Sequence, residues 1–355
     1  MLATGQSGRM QNVLCRLRTR TAHRIFRNLI VSTLAILANQ SAMAQEKTGA
    51  GPSSAFHQSL DDAWWTGPML APNATTLPQG HLLVEPYLYD VITQGLYNSH
   101  GTRVSAPHEN GFGSLTYINY GFLNKLTVGL IPIFGYNEVS RGPSSPSVGM
   151  GDLTVQAQYR LHLFHEGSWV PTTSINVQET LPTGKYDQLG DRLSDGLGSG
   201  AFTTTIGLYT QTYLWMPNGR ILRFRFNVIP AFSRSMNVKD ASVYGTTGGF
   251  RGHAKPGSSI FLDAAGEYSL TRHWVLALDA TYRHQDNTSV SGYNLATPTA
   301  PILLNSGSSD AFGLAPAIEY NWNQNLGILF GVRLIPAGRN TPVTISPALA
   351  VNFVH

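Results

Sequence analysis

From His81 to its end the chain falls into a dozen stretches of strand length, each alternating apolar with polar residues. Gly151 to Leu161 shows the pattern most plainly. Leu153, Val155, Ala157, Tyr159 and Leu161 share one parity, and Asp152, Thr154, Gln156, Gln158 and Arg160 share the other. Successive strand side chains point to opposite faces, so this is a strand with one greasy face and one wet face. A half-buried strand of a soluble sandwich would look the same, so the choice of solvent on the apolar side rests on the other stretches.

The order of the connections separates the two. The alternation predicts twelve strands, starting near 82–89, 115–120, 126–135, 151–161, 169–180, 201–213, 221–233, 260–269, 274–284, 312–322, 326–334 and 343–353. Connections after odd strands are mostly long and polar, including 182–199, 234–257 and 285–310. Those after even strands are mostly tight turns at 121–125, 167–168, 217–219, 270–273 and 323–325. Long and short ends therefore segregate to opposite sides, as in outer-membrane barrels with an even strand number. A Greek-key sandwich has no reason to sort its loops this way.

Parity supports lipid contact. Leu222, Phe224, Phe226 and Val228 oppose Arg223, Arg225 and Asn227, and Leu276, Leu278 and Ala280 oppose Asp279 and Arg283. Aromatics gather near strand ends (Tyr159, Tyr213, Trp215, Tyr268, Trp274, Tyr282, Tyr320, Trp322), where interfacial girdles would lie. Charged residues are only 12%, and no run of 18 apolar residues follows the first 44, which excludes a helical membrane protein. The expected fold is all-β: a transmembrane antiparallel up-and-down barrel over 81–355. Its short turns are expected in the periplasm and its longer loops outside. Pro86, Pro132, Pro230, Pro316 and Pro347 fall inside strands on the apolar parity and are expected to mark bulges or strand ends.

The first 44 residues read as an export signal. Arg16, Arg18, Arg20, Arg24 and Arg27 form a basic region, Leu29 to Ala38 is a short apolar run, and Ala42-Met43-Ala44 fits a cleavage site. Six of the chain's 24 Lys/Arg lie there with no Asp or Glu, so 18 basic residues face 20 acidic ones in the remainder. The overall basic balance is thus a property of the signal, and no nucleic-acid partner is implied. Cys15, the only cysteine, leaves with it. Residues 45–80 form an irregular segment, rich in Gly and Pro, that could cap the first strand or plug the mouth. Its Trp64-Trp65 pair could instead anchor at the membrane interface.

Gly151-Asp152-Leu153 opens a strand ending Tyr159-Arg160-Leu161, and Leu181-Pro182-Thr183-Gly184 closes the next before a Gly-rich run at 196–200. With Tyr120-Gly121-Phe122-Leu123-Asn124-Lys125-Leu126, these stretches resemble outer-membrane proteins of the meta-pathway of phenol degradation family, over about residues 80–353. The resemblance implies a barrel that passes hydrophobic or aromatic compounds, with no established catalytic residues.

The polar parity nominates the lumen lining: Glu85, Asp152, Gln156, Gln158, Arg160, Arg223, Arg225, Asp263, Glu267, Asp279, Arg283, Glu319 and Arg333. Charge in a barrel wall is stable where it is paired or wet, so these residues either set a transverse field for solutes or stiffen a narrow lumen. Asp187, Asp191 and Asp195 do not match a calcium loop, and His100, His108, His253 and His284 show no metal-ligand spacing. No cofactor is expected. The reading is an outer-membrane channel for small, hydrophobic or aromatic compounds, and not an enzyme. Its alternatives are a lipid-acting barrel enzyme and a structural barrel with a closed lumen. The expected partners are outer-membrane lipid, a small solute and the barrel assembly machinery, with the oligomeric state left open.

Overall fold

The computed structural model describes residues 56–355, so the export signal lies outside the described residues. Twelve antiparallel strands close into one barrel: β1 Leu82–Tyr97, β2 Glu109–Leu123, β3 Leu126–Ile131 continued by Ile133–Val139, β4 Leu153–His162, β5 Thr172–Leu181 and β6 Thr203–Trp215. The second half is β7 Ile221–Ser233, β8 Ser259–Ser269, β9 Trp274–Gln285, β10 Ser309–Asn323, β11 Leu326–Arg339 and β12 Thr341–Val354. Each strand pairs with its sequence neighbour, and β1 also pairs with β12, Leu83 opposite Val354, which closes the ring. Closure leaves no free sheet edge in the wall, the condition for crossing lipid with strands.

Burial follows the parity read from the sequence. On β9, Val275, Ala277, Asp279 and Thr281 are buried while Trp274, Leu276, Leu278 and Ala280 are exposed. Large apolar side chains cover the outside, Phe224, Phe226, Leu276, Ile318 and Phe330 among them. At the short-turn end Trp274, Tyr320 and Trp322 form an aromatic cluster, with ring centroids 4.7 and 5.2 Å apart. Tyr213 and Trp215 depart from the expected girdle. Tyr213 receives a hydrogen bond from the buried Gln211, and Trp215 donates to the carbonyl of Gln58.

Two expectations are corrected. Most of the in-strand prolines do not end or bulge their strands: Pro86, Pro230 and Pro347 sit opposite Thr116, Ile260 and Val332 in unbroken register. Pro132 does mark the expected break: the strand is interrupted there and its pairing on the β4 side shifts by one residue, from Ile131 opposite Thr154 to Phe134 opposite Met150. The ladder to β2 stays in register, Leu115 opposite Ile133 and Ile118 opposite Leu130, and the Pro132 carbonyl accepts from Thr116. Proline removes one donor but keeps its acceptor, so a long ladder loses a single bond. Further register shifts occur at Thr93/Gly95 and Phe312/Leu314 among others.

The connections 234–257 and 285–310 are also not plain loops. They contribute a separate antiparallel sheet of Met236–Lys239, Phe250–Lys255, Ser289–Asn294 and Thr297–Asn305. Its packed face carries Val238, Phe250, Ala254 and Val290, backed by Tyr186 and Tyr244. Glycines 252 and 292 and prolines 298 and 301 interrupt the alternation that would have announced these strands.

Candidate functional site

Inside the barrel lies the N-terminal segment. Its entry is fixed at the short-turn end, where Gln58 N donates to Gly219 O at 2.9 Å and the Gln58 side chain donates to Ser269 Oγ at 2.8 Å. Trp64 packs edge-on to His273 with centroids 4.8 Å apart, and Trp65 lies under the Arg223 guanidinium at 4.5 Å. The Trp pair therefore packs on β7 and the β8–β9 turn. Beyond it the chain runs along β9 and β10 as a series of backbone donors aimed at buried carboxylates. Thr66 N and Gly67 N reach Glu319 Oε2 at 2.8 and 3.1 Å, and Met69 N reaches Asp279 Oδ2 at 3.1 Å. Leu70 N and Ala71 N share Asp279 Oδ1 at 3.3 and 3.0 Å.

The segment then crosses the lumen. Arg225 Nη1 donates to Ala71 O at 2.6 Å, Asn227 Nδ2 to Pro72 O at 3.1 Å, and Gln158 Nε2 to Asn73 O at 2.9 Å. It leaves at the β2–β3 turn, where Thr76 Oγ1 donates to Asn124 O and Gly80 N to Gly121 O, both at 2.8 Å. An irregular backbone cannot satisfy its own polar groups, so this path is stable only where the wall supplies partners. The wall carboxylates and amides supply them.

The nominated residues thus divide into two walls. On β7–β11, Glu267 holds both Arg223, whose Nε lies 2.7 Å from Oε2, and Arg225, whose Nε lies 3.2 Å from the same oxygen. Glu319 and Asp279 bind the segment, and Asp263 is buried with neither carboxylate oxygen hydrogen-bonded among the described residues. Arg283 and Arg333 lie on the same inward parity. On β2–β6 the wall is made of amides: Gln156 Nε2 donates to Asn119 Oδ1 at 2.7 Å, and Asn176 and Gln178 donate to Gln156 Oε1 at 3.2 Å each. Glu85 accepts from Asn352 at 3.2 Å, and Arg160 is half-buried next to the β2–β3 turn, its N–H on Lys125 O.

Asp152 has a different part from solute contact. Its Oδ1 accepts from Gly184 N at 2.9 Å, and its Oδ2 from both N and Oγ of Ser199 at 2.7 Å. These bonds hold the connection 182–202 folded into the barrel. Gly184 and Gly198 cross back to back, and a Cβ added to Gly198 would lie 2.4 Å from Gly184 O. Leu197 fills the space over Gly135 and Gly149. The short sequence signals Gly-Asp, Pro-Thr-Gly and Gly-Leu-Gly-Ser-Gly are therefore parts of one clamp. The three loop aspartates do not converge: Asp187 accepts from Lys239 N and Asp195 lies 3.9 Å from Lys185 Nζ. Among the described residues no cluster of potential metal ligands forms.

Two chambers result. The inner one, about 150 Å³, lies against the crossing segment and is lined by Tyr87, Tyr117, Tyr209, Gln156, Gln178 and Glu85. The outer one, about 480 Å³, lies between β1–β3 and the infolded connection, lined by Tyr89, Val91, Ile133, Leu193 and Leu197. Gly111, Gly113 and Gly135 on its wall leave the room that side chains would take. Sequence reasoning missed the tyrosines, although Tyr87 and Tyr89 share the parity of Glu85.

Residues 92–346 match the family described as "Putative MetA-pathway of phenol degradation". The chain belongs to this family. No curated protein matches it. Among solved structures, an outer membrane channel from Pseudomonas putida F1 aligns over 81% of this chain and all of that one, with 16% identity and a TM-score of 0.60, which establishes the shared barrel fold. The Ralstonia pickettii toluene transporter TbuX aligns over 86% of this chain and 98% of its own at 10% identity, with a TM-score of 0.31 that carries no structural argument.

Proposed function

We propose that this family member is an outer-membrane channel that admits small aromatic compounds, with its short turns in the periplasm and its long connections outside. The observation that carries the reading is the outer chamber, an aromatic- and aliphatic-lined space of about 480 Å³ opening on the long-loop side of a closed barrel. That size suits one small ligand, and a wall of Tyr89, Val91, Ile133, Leu193 and Leu197 interrupted by polar groups at Thr93, Glu109, Asn110, Asn137 and Ser194 suits an aromatic ring with a polar substituent. Membership of the phenol-degradation family and the likeness to the Pseudomonas outer membrane channel lend the same direction to the reading.

In this reading the N-terminal segment is the resistance in the path. Its bonds to Glu319, Asp279, Arg225 and Gln158 bridge the two walls at mid-lumen. Passage to the periplasm requires that some of them exchange for water or solute. The test is planar-bilayer conductance of the exported chain against a variant in which residues 66–77 are replaced by Gly/Ser. Conductance that rises several-fold in the variant supports the channel. Heat-modifiable, inserted protein that conducts in neither form, or that hydrolyses lipid, rejects it. The lipid-hydrolysis arm bears on His284, whose ring nitrogens face Asp310 at 2.7 Å and Asp286 at 3.5 Å.

A further inference from the structure

The four arginines of the β7–β11 wall fall into two pairs. Arg223 and Arg225 are buried against Glu267, whereas Arg283 on β9 and Arg333 on β11 make no salt bridge among the described residues. Both lie on the inward parity, next to the buried Thr281 and Ile335. Arg283 is nonetheless solvent-exposed, so the lumen is open beside it, and Arg333 Nε is buried without a hydrogen-bond partner among the described residues. Nearby carboxylates do not take them up. Asp279 is committed to the backbone of residues 69–71, and Asp263 accepts no hydrogen bond at either oxygen among the described residues.

The wall between them carries only small residues on β10, with the side chains of Thr281 and Ile335 lying over Gly313. Arg283 stands opposite Ala311 on β10, and that strand continues inward through Gly313 and Ala315 to the level of Arg333. Four residues separate the two levels, roughly 13 Å at ~3.3 Å per residue. The Arg283 guanidinium also lies 6.0 Å from the ring centroid of Phe261 on β8, so an aromatic face adjoins the outer charge.

We propose that Arg283 and Arg333 form a two-step anion track in the outer half of the lumen, and that the solute class it selects is an aromatic carboxylate. Unpaired guanidinium groups in a narrow, low-dielectric passage concentrate anions and bind carboxylates by charge-assisted hydrogen bonds. Phe261, on the inward parity beside Arg283, receives the ring. The proposal rests on the channel reading for its transport consequence, but not for binding.

The test compares benzoate with its neutral counterpart benzyl alcohol. Equilibrium binding to the detergent-solubilised protein and flux into proteoliposomes are measured for wild type, R283Q/R333Q and R283K/R333K, each checked for heat-modifiable mobility. The track predicts that benzoate binding falls at least about tenfold in the Gln pair, as the loss of charge-assisted bonds implies. It recovers in part in the Lys pair, while benzyl alcohol binding is unchanged. If flux follows binding, both readings stand; if binding behaves so but wild type passes neither compound, the track stands and the channel falls. Benzoate binding that is absent in wild type, or equal in the Gln pair, overturns the track whatever the flux. If neither Gln variant nor Lys variant folds, single R283Q carries the same comparison, because its side chain is exposed and makes no salt bridge among the described residues.

Discussion

At the scale of single residues, the structure turns charge into architecture. Asp152 illustrates this, since one carboxylate accepts three bonds from residues 32 and 47 positions away and keeps a whole connection inside the barrel. Asp152→Ala leaves those donors without a partner, at roughly 1–3 kcal/mol for each buried one. We expect the connection 182–202 to become protease-sensitive and faster in hydrogen exchange while the barrel keeps its heat-modifiable mobility. Unchanged protection of 182–202 would contradict the clamp. The residue's inward direction was legible from its parity with Gln156 and Gln158, but its partners were not. Alternation fixes which face a side chain occupies and says nothing about which distant backbone amide meets it. The same limit hid the split between Arg223 or Arg225 and Arg283 or Arg333. All four have the same parity, and only the register that sets Arg223 opposite Glu267 separates the paired from the unpaired.

At the scale of elements, the outer sheet was the part of the fold least visible in advance. Its strands are short, and three of the four carry Gly or Pro, which breaks the alternation that marks a strand. One electrostatic contact stabilises the turn within it: Asp240, with φ 58, accepts from Arg251 Nη1 and Gly249 N at 2.9 Å each. The Arg251 guanidinium, helped by the Gly249 amide, holds the Asp240 carboxyl below its ordinary range. A depressed carboxylate contributes stability that is present above the unfolded value, about 3.9. It is lost as pH falls through the folded one. Hydrogen exchange of residues 250–255 should therefore accelerate as pH is lowered from 5 towards about 3, after correction for intrinsic rates. The Asp240→Asn variant should show the faster rate already at pH 7. No difference between variant and wild type at neutral pH would refute the assignment. The twelve wall strands, by contrast, were legible because each exposes one face to an apolar medium along its whole length, which writes the period of two into the sequence.

At the scale of the whole molecule, the ring is closed by its two ends. β1 meets β12 through a ladder that runs from Leu83/Val354 to Tyr97/Thr341. Cysteines placed at Leu83 and Val354 face each other across that seam, at the ~4.5–5.5 Å Cβ separation of opposed residues. They should oxidise to a covalent hoop. The cross-linked protein should then resist the usual heat-dependent mobility change until reductant is added, and free thiols after mild oxidation would argue against the closure. A seam between chain ends also means that no hoop exists until the last strand is made, so ring formation is slow and leaves two bare edges until it ends.

The crossing segment precedes β1, yet its backbone donors go to Asp279 on β9 and Glu319 on β10, strands far along the chain. Those bonds can form on a curved, still-open sheet, before β12 arrives. The stopper is then not pushed into a finished bottle. The glass can be blown around it, since the carboxylates that hold it belong to strands already made before the ring closes.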